Sequence, residues 1–277
     1  MGLRIQNNVE AFNAHRQLST TSSKAAKSME RLSSGFRINR AADDAAGLAI
    51  SEKMRAQIGG LAQAQRNGLD GVSLVQTAEG ALNEVHSMLH RMRELKVQYE
   101  NGTLDTDDKL AIVAEATQLA SEITDIRDKT EFNGIELLTG GGGTGGVISF
   151  QVGANAGETI SVTTQDITGA SGTDAVDAIA DTTTWEAVGL DDLDTAINNV
   201  SALRSEFGAA QNRLEHRLNN LATYQENLVA SESRIRDVDM ASEMVNFTKL
   251  GILQQAGVSM LAQANQSPQS VLSLLRQ

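Results

Sequence analysis

The chain has no cysteine and very few prolines and aromatic residues. Its 277 residues include one proline and 3% aromatic side chains, although 40% of the residues are hydrophobic. Without cysteine, the chain can form no disulfide bond, thiolate metal site or cysteine nucleophile. Because compact cores draw much of their buried area from aromatic rings, this composition favours long helices that pack along thin seams of Ala, Leu, Ile and Val.

The apolar runs of targeting and membrane segments are also missing. The first eight residues, Met1 to Asn8, are largely polar and do not resemble the hydrophobic region of a secretory signal. No stretch approaches ~20 consecutive apolar residues, the length that spans a bilayer. We therefore expect no membrane span. If the protein is exported, we expect a route that does not read a cleaved signal peptide.

The net charge of −12 is unevenly distributed along the chain. Residues 1–40 contain seven basic and two acidic residues, whereas residues 130–200 contain eleven acidic residues and no lysine or arginine. Such a separation indicates different surroundings for the two regions. Because an acidic middle is atypical of proteins that bind nucleic acid, we expect no nucleic-acid partner.

Steps of three and four between apolar residues predict three long helices. One runs from about Asp43 to Tyr99, and a second follows the turn signal at Asn101-Gly102-Thr103. The third has the most regular pattern, and at ~1.5 Å per residue it spans ~65 Å. We expect it to lie antiparallel along the first helix, so that the two form a rod with coiled-coil packing. Its predicted contact positions are Leu193, Ile197, Val200, Arg204, Phe207, Gln211, Leu214, Leu218, Leu221, Gln225, Leu228, Glu232 and Ile235.

A short region of alternating residues lies between the second and third helices. Apolar residues alternate at Ile148, Phe150 and Val152 and again at Ile160 and Val162, which predicts a β-hairpin. The glycine-rich run at residues 140–146 is expected to be a flexible surface loop. It is not a phosphate-binding loop, because no Gly-Lys-Ser/Thr follows it. Residues 163–184 have little pattern, and we expect a short, variable, exposed connection there.

The two ends of the chain are amphipathic, but neither can bury its apolar stripe alone. We expect an interrupted helix at the start, because the polar run Ser19–Ser23 separates two short apolar ladders. We predict that segments 1–42 and 236–277 pair as an inner coiled coil and that neighbouring copies cover their remaining faces. The residues predicted to pack in this inner core or in a polymer are Ile5, Val9, Phe12, Leu32, Phe36, Met240, Met244, Phe247, Val258, Leu261, Leu272 and Leu275.

The predicted architecture is therefore mainly α, with a small β-hairpin region. Segments 43–162 and 185–235 form the helical rod with its hairpin, and segments 1–42 and 236–277 form the terminal coiled coil. The sequence contains no His-Glu-x-x-His, Gly-x-Ser-x-Gly or Walker pattern. His86 and His90 lie four residues apart on a helix, but no third ligand is placed near them, and zinc sites use three or four. We therefore predict a structural protein with no catalytic residue, cofactor or metal.

Several long motifs in this chain resemble those of bacterial flagellin. The segment Arg37–Ile58 is similar to the N-terminal signature of that family, and Phe150–Asn155, Leu253–Gly257 and Met260–Leu275 resemble further pieces in the same order. The resemblance implies the subunit of a flagellar filament, in which paired termini line a narrow channel and the long helices form the next shell. Because only residues 163–184 could hold an insertion, this is similar to a minimal flagellin without large outer domains.

The resemblance also implies partners and a location. Members of the family are exported unfolded through a dedicated secretion apparatus with a chaperone, and they add beneath a cap at the distal tip of an extracellular filament that hook-junction proteins connect to the hook. Recognition by the flagellin-sensing Toll-like receptor is implied as well, with Arg91, Leu95 and Glu115 at the matching positions. The alternative is a hook–filament junction protein, which resembles flagellin at both ends but forms no long filament. The C-terminal motif and Phe150–Asn155 favour the filament subunit.

Overall fold

A computed structural model describes residues 8–167 and 182–275, with side chains of the last helix described as far as Gln266. The described chain is mainly α-helical, as predicted. It divides into two compact units, which we call the terminal unit (residues 1–56 and 227–277) and the central unit (residues 57–226). The helices are α1 (Val9–Ser34), α2 (Ala45–Tyr99), α3 (Thr106–Lys129), α4 (Thr182–Ala187), α5 (Leu190–Arg236) and α6 (Met240–Leu275).

Four short strands form two antiparallel pairs. Strand β1 (Glu131–Phe132) pairs with β2 (Ile135–Glu136), and β3 (Val147–Gln151) pairs with β4 (Thr159–Thr163). In the second pair, Phe150 lies opposite Ile160 and Ile148 lies opposite Val162, so the predicted hairpin is confirmed. Among the described residues, no helix is both long and apolar enough to cross a membrane.

The core of the central unit follows one line of residues along α2. Leu82, Val85, Leu89 and Met92 are completely buried, at the spacing of three and four that the sequence predicts. Helix α5 runs antiparallel to this part of α2. The contacts that show this are Gly68 beside Leu218, Gly71 beside Leu214, Glu79 facing Arg204, and Arg93 bound to Asp194.

The heptad register predicted for α5 is displaced by one residue at three positions, although the predicted Ile197 still packs against the core and Leu218 against α2. The buried line follows steps of three and then four from Leu193, whereas the prediction took four and then three. Leu203 therefore lies in the core where Arg204 was expected, and Ala210 where Gln211 was expected. The buried residues along this line are Leu193, Ala196, Val200, Leu203, Phe207, Ala210 and Leu214.

The glycine-rich run is not a flexible surface loop throughout, as was predicted. Gly142 and Gly146 are buried, and Gly146 accepts a hydrogen bond of 2.7 Å from the backbone N–H of Thr164. Gly143 has φ 69°, and a Cβ atom there would lie 2.3 Å from the carbonyl oxygen of Val147. Only glycine fits this position, so the residue type is dictated by close packing against β3.

The first residues of the predicted exposed connection are partly buried. Thr164 and Ile167 are buried, and the N–H of Ile167 donates to the carbonyl oxygen of Leu138. At the other end, Trp185 is completely buried, and the Lys96 ammonium donates to its carbonyl oxygen at 3.1 Å. Residues 168–181, the rest of the predicted connection, lie outside the described residues.

Helix α1 is continuous, although an interruption at Ser19–Ser23 was predicted. The hydroxyl groups of Thr20 and Thr21 each donate to the carbonyl oxygen four residues earlier, both at 2.9 Å. These hydroxyl groups therefore bond within the helix instead of ending it. Asn8 caps the first turn, and Gly35, at φ 74°, ends the helix in a left-handed conformation.

Truncating the buried line of α2 should weaken the central unit. We expect Leu89→Ala to lower the free energy of unfolding by about 2–5 kcal/mol, because it removes completely buried methyl groups. Guanidinium unfolding followed by Trp185 fluorescence measures this, since Trp185 is the only tryptophan and lies in the same core. The control is Leu110→Ala, half exposed on α3, which should change stability by less than about 0.5 kcal/mol. Equal losses from both variants would contradict the assigned core.

Candidate functional site

Helices α1 and α6 pack side by side in the terminal unit and run in opposite directions. The side-chain amide of Asn8 donates to the carbonyl oxygen of Ala264 at 2.7 Å, at one end of the pair. At the other end, Phe36 and Asp237 form an antiparallel bridge. Between them, Leu18 lies beside Gly257, and the Ser28 hydroxyl donates to Glu243. The predicted pairing of the two termini is therefore present within one chain.

The contact between the two helices is a seam that mixes small side chains with leucines and one phenylalanine. A Cβ atom on Gly257 would lie 3.3 Å from Cδ1 of Leu18, so the helices approach closely there. Both seams follow steps of three and four, as in a coiled coil. The seam of α1 contains Ala11, Ala14, Leu18, Thr21, Ala25, Ser28 and Leu32, and that of α6 contains Glu243, Phe247, Leu250, Gly257, Leu261 and Ala264.

Four of the residues predicted to pack in the inner core lie at this seam or at its end. They are Leu32, Phe36, Phe247 and Leu261. Ile5 lies outside the described residues. For Leu272 and Leu275 the helix is described, but the side chains are not.

The other predicted packing residues face away from the seam. Phe12 is 72% exposed and Val9 is 56% exposed on α1. On α6 the predicted ladder is displaced by one residue at alternate positions, so that Glu243 and Gly257 occupy the seam instead of Met244 and Val258. These predicted residues do not pack within the chain, and their packing in a polymer stays a prediction. The exposed predicted residues are Val9, Phe12, Met240, Met244 and Val258.

These side chains belong to a larger set of exposed apolar residues on α1 and α6, which we call the outer face. Its other members include Val245 and Ile252, which are 69% and 63% exposed. Monomeric proteins seldom expose so many large apolar side chains in one region. The outer face consists of Val9, Phe12, Met29, Met240, Met244, Val245, Ile252, Leu253, Val258 and Met260.

A group of charged residues stabilises the α1–α6 contact near the C-terminal end of α1. Glu243 is almost completely buried, and its carboxylate accepts the Ser28 hydroxyl while lying 3.7 Å from the Arg31 guanidinium. Arg236 binds Glu52 at 2.6 Å and stacks 4.8 Å above the Phe36 ring. A buried carboxylate requires such partners. Sequence spacing alone could not identify Glu243 as a seam residue, because its partners lie more than 200 positions away.

Asp43 stabilises the turn between α1 and α2 through an ion pair and two backbone hydrogen bonds. Its carboxylate binds the Lys27 ammonium at 2.6 Å and accepts the backbone N–H groups of Asn39 and Arg40. The bond from Lys27 and these two backbone bonds lower the pKa of Asp43 from 3.8 to about 2. The neighbouring Asp44 caps α2 by accepting the N–H of Gly47.

The structure brings together two of the three residues that the resemblance assigns to receptor recognition. Arg91 on α2 binds Glu115 on α3 at 2.8 Å and Glu94 at 3.2 Å, and the bond to Glu115 raises the pKa of Arg91. Both Arg91 and Glu115 are about half exposed. Leu95 is only 2% exposed and belongs to the core, so its expected place at the receptor contact is wrong for the chain as it stands.

Family models match both ends of the chain. The bacterial flagellin N-terminal helical region matches residues 5–142, and the bacterial flagellin C-terminal helical region matches residues 190–275. The chain is 54% identical over 274 residues to a flagellin of Halalkalibacterium halodurans, covering 98% of this chain and 99% of that protein. This chain belongs to the flagellin family. A flagellin of Bacillus subtilis is 50% identical over 304 residues, with 99% and 100% covered.

Flagellins are structural proteins that polymerise into the extracellular filament of the bacterial flagellum. This flagellin is a minimal form, since no large outer domain separates β4 from α4. A crystal structure of Bacillus cereus flagellin has 36% identity and a TM-score of 0.48, covering 56% of this chain and 88% of that one. Among the described residues, no three potential metal ligands of the His, Cys, Asp or Glu type form a group.

The Asp43 carboxylate should stay ionised well into the acid range. Because its folded pKa lies near 2, below the unfolded value of 3.8, its stabilising contribution is complete above pH 3.8 and is lost as the pH falls through about 2. Carboxyl carbon shifts measured by NMR in the free subunit give the midpoint. The hydrogen bond from Lys27 is the largest cause of the lowered pKa. The Lys27→Met variant should therefore move the titration midpoint of Asp43 part of the way back towards 3.8. An unchanged midpoint in that variant would show that Lys27 does not set the pKa.

Proposed function

We propose that this flagellin polymerises through the outer face of α1 and α6. The observation that carries this proposal is the unequal distribution of exposed apolar side chains. Of 17 exposed large hydrophobic residues in the described chain, 12 lie in the terminal unit, which is the smaller of the two. Neighbouring copies that cover this face would remove its apolar area from water.

The seam alone supports the terminal helices weakly. Ordering each backbone residue costs about 1–2 kcal/mol, and seam residues such as Ala11, Ala14 and Gly257 bury little apolar area in return. Helices packed only by this seam are therefore marginal in a single subunit. Contacts with neighbouring copies on the outer face supply the missing burial, so that ordering of the termini is coupled to polymerisation.

A chain of this kind also suits export in an unfolded state. It has no cysteine that could form a disulfide and a terminal unit that unfolds at little cost. In the proposed pathway an export chaperone binds the subunit, and a dedicated secretion apparatus passes the unfolded chain. The chain then adds at the distal tip beneath the cap, in a filament that hook-junction proteins connect to the hook.

The alternative assignment is a hook–filament junction protein. It predicts that the purified chain forms short rings or no polymer. The filament assignment predicts long filaments when fragments seed a solution containing a precipitating salt, because such salts strengthen apolar burial. Electron microscopy distinguishes the two outcomes.

Val258→Asp tests the outer face directly. Val258 is 54% exposed in the single chain, so the variant should keep the α1–α6 pair but place an unpaired carboxylate in the subunit contact. The critical concentration for seeded polymerisation should rise at least about a hundredfold. Cells should still export the variant and release it as monomers into the medium.

Two comparisons control this experiment. Val258→Ile keeps the apolar character and should polymerise normally. Leu261→Asp lies on the seam, so it should also disturb the α1–α6 pair, which hydrogen exchange of α1 amides would detect. Normal filaments from Val258→Asp would rule out this part of the outer face as a subunit contact.

The exposed Arg91–Glu115 pair is the proposed contact with the flagellin-sensing Toll-like receptor. The pair joins α2 and α3 at the surface and presents a guanidinium that a receptor carboxylate can bind. Leu95 lies beneath it in the core and supports the helix instead of touching the receptor. The buried position of Lys96 keeps that ammonium group away from the receptor surface.

Arg91→Ala should lower receptor activation by about tenfold or more, since arginines at the centre of an interface contribute strongly to binding. Receptor-dependent reporter signalling in cultured cells measures the effect, and monomeric protein should be used. Arg66→Ala is the matched control, because Arg66 is another exposed arginine on α2 within the central unit. Equal activation by wild type and Arg91→Ala would remove Arg91 from the contact.

A further inference from the structure

His86 and His90 form a close pair on the surface of α2. They lie four residues apart, on the same side of the helix. Their Nε2 atoms are 3.0 Å apart, and their ring centroids are 4.5 Å apart with the planes nearly perpendicular. One ring donates its N–H to the other. Within the flagellin fold described above, this pair has no part in the core, the seam or the outer face.

The distance between the two nitrogen atoms suits a shared metal ion. At a metal–nitrogen bond length of ~2.0–2.1 Å, two nitrogens 3.0 Å apart subtend an angle of about 95° at the metal. This is close to the right angle between neighbouring ligands in square-planar and octahedral complexes. A tetrahedral ion needs the nitrogens ~3.4 Å apart, so zinc fits the pair less well.

We propose that His86 and His90 bind a divalent transition-metal ion, with Cu²⁺ preferred and Ni²⁺ next. For the metal to bind, the donor ring's proton moves from Nε2 to Nδ1, so that both rings stay neutral and each Nε2 presents a lone pair. Cu²⁺ is favoured because it prefers right-angled nitrogen ligands and binds most strongly among the divalent first-row ions. His90 is exposed, so its ring can turn to direct its lone pair at the metal.

The surroundings show that water must complete the coordination. Asp194, the acid that interacts with His90, has both carboxylate oxygens bound to Arg93, at 2.6 and 3.2 Å. It is therefore not free to act as a third ligand. The Nδ1 atom of His86 has no hydrogen-bond partner, so no neighbouring group orients that ring. A site with two protein ligands and no such support should bind reversibly and release its ion to chelators.

Copper titration of the purified, monomeric full chain tests the proposal. Wild type should bind one Cu²⁺ through this pair, with two imidazole nitrogens visible in the electron paramagnetic resonance spectrum. His86→Gln and His90→Gln should each weaken calorimetric Cu²⁺ binding at least about tenfold, because one of two ligands is lost. Glutamine keeps the helix, and circular dichroism checks that each variant is folded.

Matched controls come from the other two histidines of the chain. His15→Gln and His216→Gln also remove one imidazole each, but they leave the pair intact and should bind copper like wild type. Binding of equal strength in all four variants would overturn the proposal, since copper would then be held elsewhere. A wild-type spectrum with one imidazole nitrogen would overturn it too.

Discussion

Close approach between α1 and α6 determines how the terminal unit is built. At Gly257 the neighbouring helix is so near that a Cβ atom would already lie 3.3 Å from Leu18. Several seam positions on both helices are occupied by small side chains, such as Ala14 and Ala264, and many large apolar side chains of the two helices are exposed. Without that approach, the buried Glu243 would lose Ser28 and Arg31 as partners, and an unpaired carboxylate would remain.

The sequence predicts where helices lie better than it predicts which side of each helix is buried. Periodicity predicts the mainly helical fold, the buried residues of α2 and the pairing of β3 with β4, because each pattern is regular. The register of α5 does not follow, since Ala196 and Ala210 contribute little to an apolar pattern although they are buried. Two registers that differ by one residue at alternate positions are then nearly equivalent in sequence, and packing against α2 decides between them.

One element of the fold has a turn signal in the sequence, and one buried side chain has no signal at all. Asn133 and Gly134 both have positive φ and form the two-residue turn between β1 and β2. That turn is a recognisable hairpin signal, so the strand pair could have been predicted. The burial of Lys96 could not have been predicted, because its hydrogen-bond acceptor is the carbonyl oxygen of Trp185, 89 residues away. Contacts of that range leave no periodic trace in the sequence.

The displaced ladder on α6 has a physical explanation in the proposed assembly. A hydrophobic pattern detects bulk, and Met240, Met244 and Val258 are large apolar residues of this helix that stay exposed. The seam needs close approach, so it selects Gly257 and Ala264, which the pattern overlooks. Apolar periodicity therefore identified Phe247 and Leu261 of the seam together with exposed residues that neighbouring copies would cover, and it missed the small residues of the seam. A helix that approaches its own chain closely at small residues, and leaves other large apolar side chains exposed for neighbouring chains, can make both contacts without competition between them.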